Sequence, residues 1–165
     1  MNPVVVVMGV SGSGKTTIGR ALAERLGVPY AEADEFHPRS NIDKMSAGRP
    51  LTDADRWPWL RAIASWIRSQ PGGAVVTCSA LKRAYRDHLH AAAPDRVRFL
   101  HLSGDRDLIA ARLSARSAHF MPASLLDSQL ADLEPLSPDE PGLTLDISAP
   151  PATLVTAALQ ALRPG

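Results

Sequence analysis

The sequence predicts an α/β protein: a five-stranded parallel sheet with helices on both faces. Short apolar runs alternate with stretches of helical periodicity, the pattern of strand–helix crossovers. The first run, Val4 to Met8, is continuous rather than alternating, as a strand buried on both faces requires. Pro and Gly punctuate many of the junctions between these segments.

In chain order, Val4 to Met8 is the first strand, and a glycine-rich loop follows it. Ile18, Ala21, Leu22 and Leu26 then mark one face of a helix that Gly27 and Pro29 end. Pro29 to Ala33 reads as a second strand stopping at Asp34. A polar stretch from Glu35 to Asp55 breaks the alternation. Asp55 is the expected cap of a helix with Pro58 in its first turn and Leu60, Ile63, Ala64 and Ile67 on its apolar face. Ala74 to Thr77 is the third strand, and a helix from about 81 to 92 follows. Val97 to Leu102 is the fourth strand, with a helix from about 105 to 118 behind it. Pro122 opens a further helix carrying Leu125, Leu126, Gln129, Leu130 and Leu133. Leu143 to Ile147 is the fifth strand, and Pro151 opens the last helix.

No repeat or linker divides the 165 residues, which suit one domain, 1–165, with one sizeable core. The misfit segment, about 35–70, is expected as an insertion at the carboxyl edge of the sheet, where open α/β sheets bind ligands. Formal net charge is +1, from 18 basic against 17 acidic residues, which argues against a nucleic-acid partner. A single cysteine, Cys78, excludes an internal disulfide and suits a reducing compartment. No cationic stretch precedes the first apolar run, and no run approaches a membrane span. A soluble cytoplasmic protein with no membrane partner is the expectation.

Gly9-Val10-Ser11-Gly12-Ser13-Gly14-Lys15-Thr16 matches GxxxxGK[ST] in full, between a valine strand and an amphipathic helix. Glycines let backbone N–H groups turn inward around phosphate oxygens, and the helix adds its N-terminus. Gly9, Ser11, Gly12, Ser13, Gly14, Lys15, Thr16 and Thr17 are therefore the expected nucleotide-binding residues, and the fold is a P-loop NTPase. Lys15 is placed on the β- and γ-phosphates and the Thr16 hydroxyl in the Mg²⁺ shell. A guanine-reading NKxD motif is absent, which disfavours a GTPase switch.

Beyond this loop come Ala33-Asp34-Glu35-Phe36-His37-Pro38, Asn41-Ile42-Asp43-Lys44-Met45, and the run Gly48 to Leu60 with Asp55-Arg56-Trp57-Pro58-Trp59. Cys78 to Lys82, Tyr85-Arg86-Asp87, Arg112 to Arg116, His119-Phe120, Ser128-Gln129 and Leu133-Glu134-Pro135 follow. In order and spacing the chain resembles the gluconokinase family over nearly its whole length. One departure is Ala33, where the family pattern has glycine. The resemblance implies a shikimate-kinase-like fold, a homodimer, and ATP with Mg²⁺ as cofactors. It implies phosphorylation of D-gluconate to 6-phospho-D-gluconate, feeding sugar-acid catabolism and the pentose phosphate pathway. Shikimate or nucleoside monophosphate kinases, and a nucleotide-dependent regulatory module, are the alternatives. The retained Lys15 and Asp34 disfavour a catalytically dead module.

On this reading Asp34 orients the attacking hydroxyl, since phosphoryl transfer rests on positioning and electrostatics. The gluconate carboxylate calls for a fork of donors, with Arg56 and Lys82 first and Lys44, Arg49 and Arg86 next. His37 either bonds a sugar hydroxyl or only stacks within the insertion, and Ser79 faces acceptor or phosphate. Arg112 and Arg116 share a helix face in a lid over about 112–122, with His119 nearby, where Arg116 or Arg112 steadies the transferring phosphoryl group.

Overall fold

The structure is a computed structural model and describes residues 2–114 and 123–162. Five parallel strands form one sheet in the order β2-β3-β1-β4-β5. They are β1 (Val4–Met8), β2 (Tyr30–Glu32), β3 (Ala74–Thr77), β4 (Val97–Ser103) and β5 (Gly142–Asp146). The α-helices are α1 (Lys15–Leu26), α2 (Arg39–Ser46), α3 (Asp53–Arg68), α4 (Arg83–Ala91), α5 (Arg106–Ser114), α6 (Ala123–Asp132) and α7 (Pro151–Leu162). A 3₁₀ turn, Ala33–Phe36, follows β2.

The unbroken valine run is explained by two cores. Successive side chains of a strand face opposite ways. Val5 and Val7 pack with Ile18 and Leu22 of α1, Leu100 and Leu102 of β4, and Leu154, Val155, Ala158 and Leu159 of α7. Val4, Val6 and Met8 pack on the other face with Leu60, Ile63 and Ile67 of α3 and Tyr85 and Leu89 of α4. All five β1 residues are fully buried, and each large apolar side chain so placed contributes about 1.5–3 kcal/mol of burial. β1 lies between β3 and β4, so the chain leaves it toward one edge and later returns to fill the other. The crevice at its carboxyl end is the topological switch point.

Three expectations are corrected. The stretch 35–70 divides: α3 packs its apolar face on the sheet as the crossover between β2 and β3, and what projects is the 3₁₀ turn, α2 and the loop to Thr52. α3 begins at Asp53, and its cap is Thr52 rather than Asp55. Thr52 Oγ1 accepts from the Asp55 amide at 3.2 Å, and Asp55 Oδ2 accepts from the Thr52 amide at 2.8 Å, a reciprocal capping box. Pro58 therefore sits in the second turn and forgoes one helical hydrogen bond. The segment 115–122, which holds Arg116, His119 and most of the expected lid, lies outside the described residues.

Candidate active site

The phosphate loop joins β1 to α1. Gly9 and Gly12 take φ of +147° and +84°, where a side chain is strained. Space forbids one as well: a Cβ on Gly9 would stand 2.8 Å from the Leu102 carbonyl oxygen, and one on Gly12 2.7 Å from Leu113 Cγ. The loop is tied from three sides. The Gly9 amide donates to the Ser79 carbonyl at 3.3 Å. Lys15 Nζ donates to the carbonyls of Gly9 and Val10 at 2.9 and 3.0 Å, curling over the loop. Gln129 of α6 accepts from the Ser11 amide at 2.8 Å and donates to Ser11 Oγ at 3.2 Å. The α1 N-terminus has no side-chain cap and no acidic residue in its first turn. Its amides are thus presented to an anion.

One cleft of about 540 Å³ runs from this loop to the insertion. Ser11, Gly12, Gly14, Lys15 and Thr16 line its phosphate end, and His37, Arg49 and Arg56 its far end, with Asp34, Cys78 and Ser79 between. Asp34 is held by the 3₁₀ turn past β2. Behind it the Ala33 carbonyl accepts from the Trp59 indole at 2.6 Å. Among the described non-glycine residues only Ala80 has positive φ, so alanine at 33 strains nothing. Arg56 donates to Tyr85 Oη at 3.0 Å and lies over the Tyr85 ring, and Tyr85 in turn donates to Asp53. Tyr85 is pushed above its ordinary pKa by burial and by the bond to Asp53, so it remains a phenol. The imidazole of His37 is pushed below its ordinary pKa by burial; Asp34 opposes this and Arg56 adds to it. Burial drives the Cys78 thiol up to about 12, so no thiolate forms in the cleft at neutral pH.

Other expected site residues fall elsewhere. Lys44 and Lys82 are not part of the cleft wall: Lys44 pairs with Asp55 at 2.6 Å and Lys82 with Asp53 at 3.1 Å. Arg86 is fully buried and pairs with Glu140 at 2.6 Å, a structural role that removes it from the carboxylate candidates. Gly9 and Ser13 form the loop without lining the cleft, and Thr17 is exposed on α1. Arg112 donates to the Ile147 carbonyl at 2.8 Å and is not part of the cleft wall. Arg116 lies outside the described residues.

Two cleft residues that bond the phosphate loop or the helix after it, Glu32 and Gln129, have no role in the sequence reading. Glu32 accepts from the Thr16 hydroxyl at 2.9 Å. Its position two residues before Asp34, at a strand end, is a signal that could have found it. Gln129 stands 118 residues from Ser11, and no local pattern announces that contact.

A 2-3-1-4-5 parallel sheet covered on both faces, with a complete phosphate loop at the carboxyl end of its central strand, defines a P-loop kinase. Residues 4–136 match the family model described as AAA domain. The chain is 53% identical over 140 residues to a gluconokinase of Gluconobacter oxydans, covering 83% of this chain and 78% of that one. It belongs to the gluconokinase family and is a phosphotransferase. A crystal structure of a gluconokinase from Sinorhizobium meliloti superimposes with a TM-score of 0.91 at 48% identity, over 97% of this chain and 91% of that one. A shikimate kinase from Bacteroides thetaiotaomicron, 14% identical, shares the fold with a TM-score of 0.72 over 98% of this chain and 99% of that one.

Proposed function

We propose that this chain transfers the γ-phosphate of ATP to a hydroxyl of D-gluconate, forming 6-phospho-D-gluconate. The observation that carries the reading is a continuous cleft lined by Lys15 and the phosphate loop at one end and by His37, Arg49 and Arg56 at the other, with Asp34 between. The names of its relatives supply the acceptor.

The chemistry divides along the cleft. The loop amides and the α1 N-terminus hold the phosphate chain, and Lys15 neutralises charge on the β- and γ-phosphates. Asp34 accepts the hydrogen bond of the attacking hydroxyl and aims its oxygen at phosphorus. Arg56 turns its guanidinium fork to the gluconate carboxylate, backed by Tyr85, and Arg49 supports it from the loop after α2. Ser79 faces the junction between the two substrates.

Mg²⁺ fits the donor set beside the loop. The Thr16 hydroxyl and the carboxylates of Glu32 and Asp34 line the same cleft, all hard oxygen donors, and Thr16 already bonds Glu32. When bound, the ion supplies charge neutralisation on the phosphate oxygens. The family likeness further supports a homodimer working in the cytoplasm, which light scattering of the purified protein checks in its first part.

The decisive experiment is an ADP-release assay with ATP and Mg²⁺ over gluconate, glucose, shikimate and AMP. Gluconate should outpace every other acceptor. Glucose turned over as fast as gluconate would remove the carboxylate clamp from the account, and a preference for shikimate or AMP would replace the acceptor.

A further inference from the structure

His37 lines the acceptor end of the cleft, and its surroundings settle where its proton sits. Its Nδ1 lies 3.2 Å from Nδ2 of Asn41. The same Nδ2 donates to the Asp55 carbonyl oxygen at 2.8 Å. A backbone carbonyl can only accept, so that end of the Asn41 side chain is its NH₂ group and not its oxygen. Asn41 is only 2% exposed, the one buried residue of α2, so its amide is held in this orientation by its surroundings. One N–H serves Asp55, and the other meets His37 Nδ1. Two donors cannot share one bond. Nδ1 therefore carries the lone pair, and the proton of the neutral ring is on Nε2.

The ring is also fixed in direction. It stacks on the Trp59 indole at 4.4 Å between centroids and 9° between planes. The indole is itself anchored on the Ala33 carbonyl, next to Asp34. Among the described residues no hydrogen-bond partner meets Nε2.

We infer that Asn41 is a positioning residue that locks His37 as the Nε2–H tautomer, so that His37 donates a hydrogen bond to an acceptor-substrate oxygen and does not serve as the base. The inference rests on the sugar-acid reading for the identity of that oxygen, a hydroxyl or carboxylate oxygen. It rests on geometry alone for the tautomer. It divides labour in the cleft: Asp34 accepts from the substrate, and His37 donates to it. It also accounts for the His37–Asn41 spacing, which places a four-residue reach at the start of α2 under the ring.

Two measurements test it on the full-length protein. The first is long-range ¹H–¹⁵N correlation of histidine-labelled wild type at neutral pH, with the His37 signal assigned by its loss in His37→Gln. A pyridine-type Nδ1 and a pyrrole-type Nε2 are expected, and the reverse tautomer or a doubly protonated ring overturns the proposal. The second compares His37→Gln, whose amide N–H reaches the Nε2 position, with His37→Asn, whose shorter amide reaches only the Nδ1 position. KM for gluconate should rise about tenfold in His37→Asn and less in His37→Gln, with KM for ATP unchanged in both. Equal losses in the two variants overturn the donor role. Asn41→Ala, if it folds, should scramble the tautomer signals and raise KM for gluconate while leaving kcat nearly intact. Wild type that fails on gluconate would instead overturn the function reading and the ligand half of this proposal, with the tautomer result standing apart.

Discussion

Arg86 offers a test of how the site is supported from behind. Its guanidinium has 0% exposure and makes two bonds to Glu140, at 2.6 and 3.0 Å. It also donates to the carbonyls of Ala80 and Leu81, at 2.9 and 3.3 Å, and of Pro135 at 3.4 Å. Ala80 has φ of +44°, and its neighbour Ser79 accepts from the phosphate-loop amide of Gly9. Arg86 thus clamps a strained loop that borders the cleft. Arg86→Met keeps the bulk and leaves Glu140 as a buried carboxylate with the Ser137 amide at 2.7 Å and the Arg83 guanidinium, more distant at 3.7 Å and open to solvent. Removing one partner of a buried pair costs about 3–5 kcal/mol. Against a total stability of about 5–15 kcal/mol, that is a third or more in the middle of the range. At about 2–4 °C per kcal/mol for a chain of this size, Tm should fall by about 6–20 °C. Circular-dichroism melts and urea titrations read both quantities. Adding Glu140→Leu should recover part of the loss, because it removes the stranded charge and leaves the carbonyls short of donors. An Arg86→Met protein of wild-type stability with a raised KM for gluconate would refute this reasoning and return Arg86 to the substrate.

Other outcomes follow from the same geometry. Lys15→Met should lower turnover about 100- to 1,000-fold with the melting temperature little changed, because Lys15 serves developing charge from the cleft wall and is not part of the apolar core; near-normal kcat would remove it from the reaction. Gln129→Met deletes both bonds to Ser11 and should weaken ATP binding about 2- to 10-fold by calorimetry, whereas unchanged affinity would make the contact incidental. The Asp55 carboxyl is pulled down to a pKa of about 2, first by Lys44 and then by the Thr52 amide. A depressed carboxylate pKa stabilises the fold above its unfolded value of 3.8, and that stability is lost as pH falls toward about 2. Urea midpoints taken through this acid window should drop less steeply in Asp55→Asn than in wild type, and equal slopes would dismiss the capping box as an acid-sensitive element.

Much of the frame is local in origin, and so the chain states it openly. A strand buried on both faces must be apolar at every position, and Val4 to Met8 is. A phosphate loop needs its glycines and lysine in a fixed order, and they stand between that strand and α1. α2 was hidden because it has almost no apolar face: its buried residue is Asn41, so no hydrophobic period marks it. The expected cap of α3 differs from the observed one by three residues because Thr52 and Asp55 cap it together, and each alone looks like a cap.

The roles of the basic residues were decided only by tertiary structure. Arg56, Lys82 and Arg86 are alike to a reader of the sequence, each a cation whose local segment does not name its partner. Folding turns Arg56 into the cleft, hands Lys82 to Asp53 across 29 residues, and seals Arg86 against Glu140 across 54. A charge advertises that it needs a partner and not which one. The partner is set by which surfaces the sheet and its helices bring within about 3 Å, and that distance is a property of the packed chain, not of any segment of it.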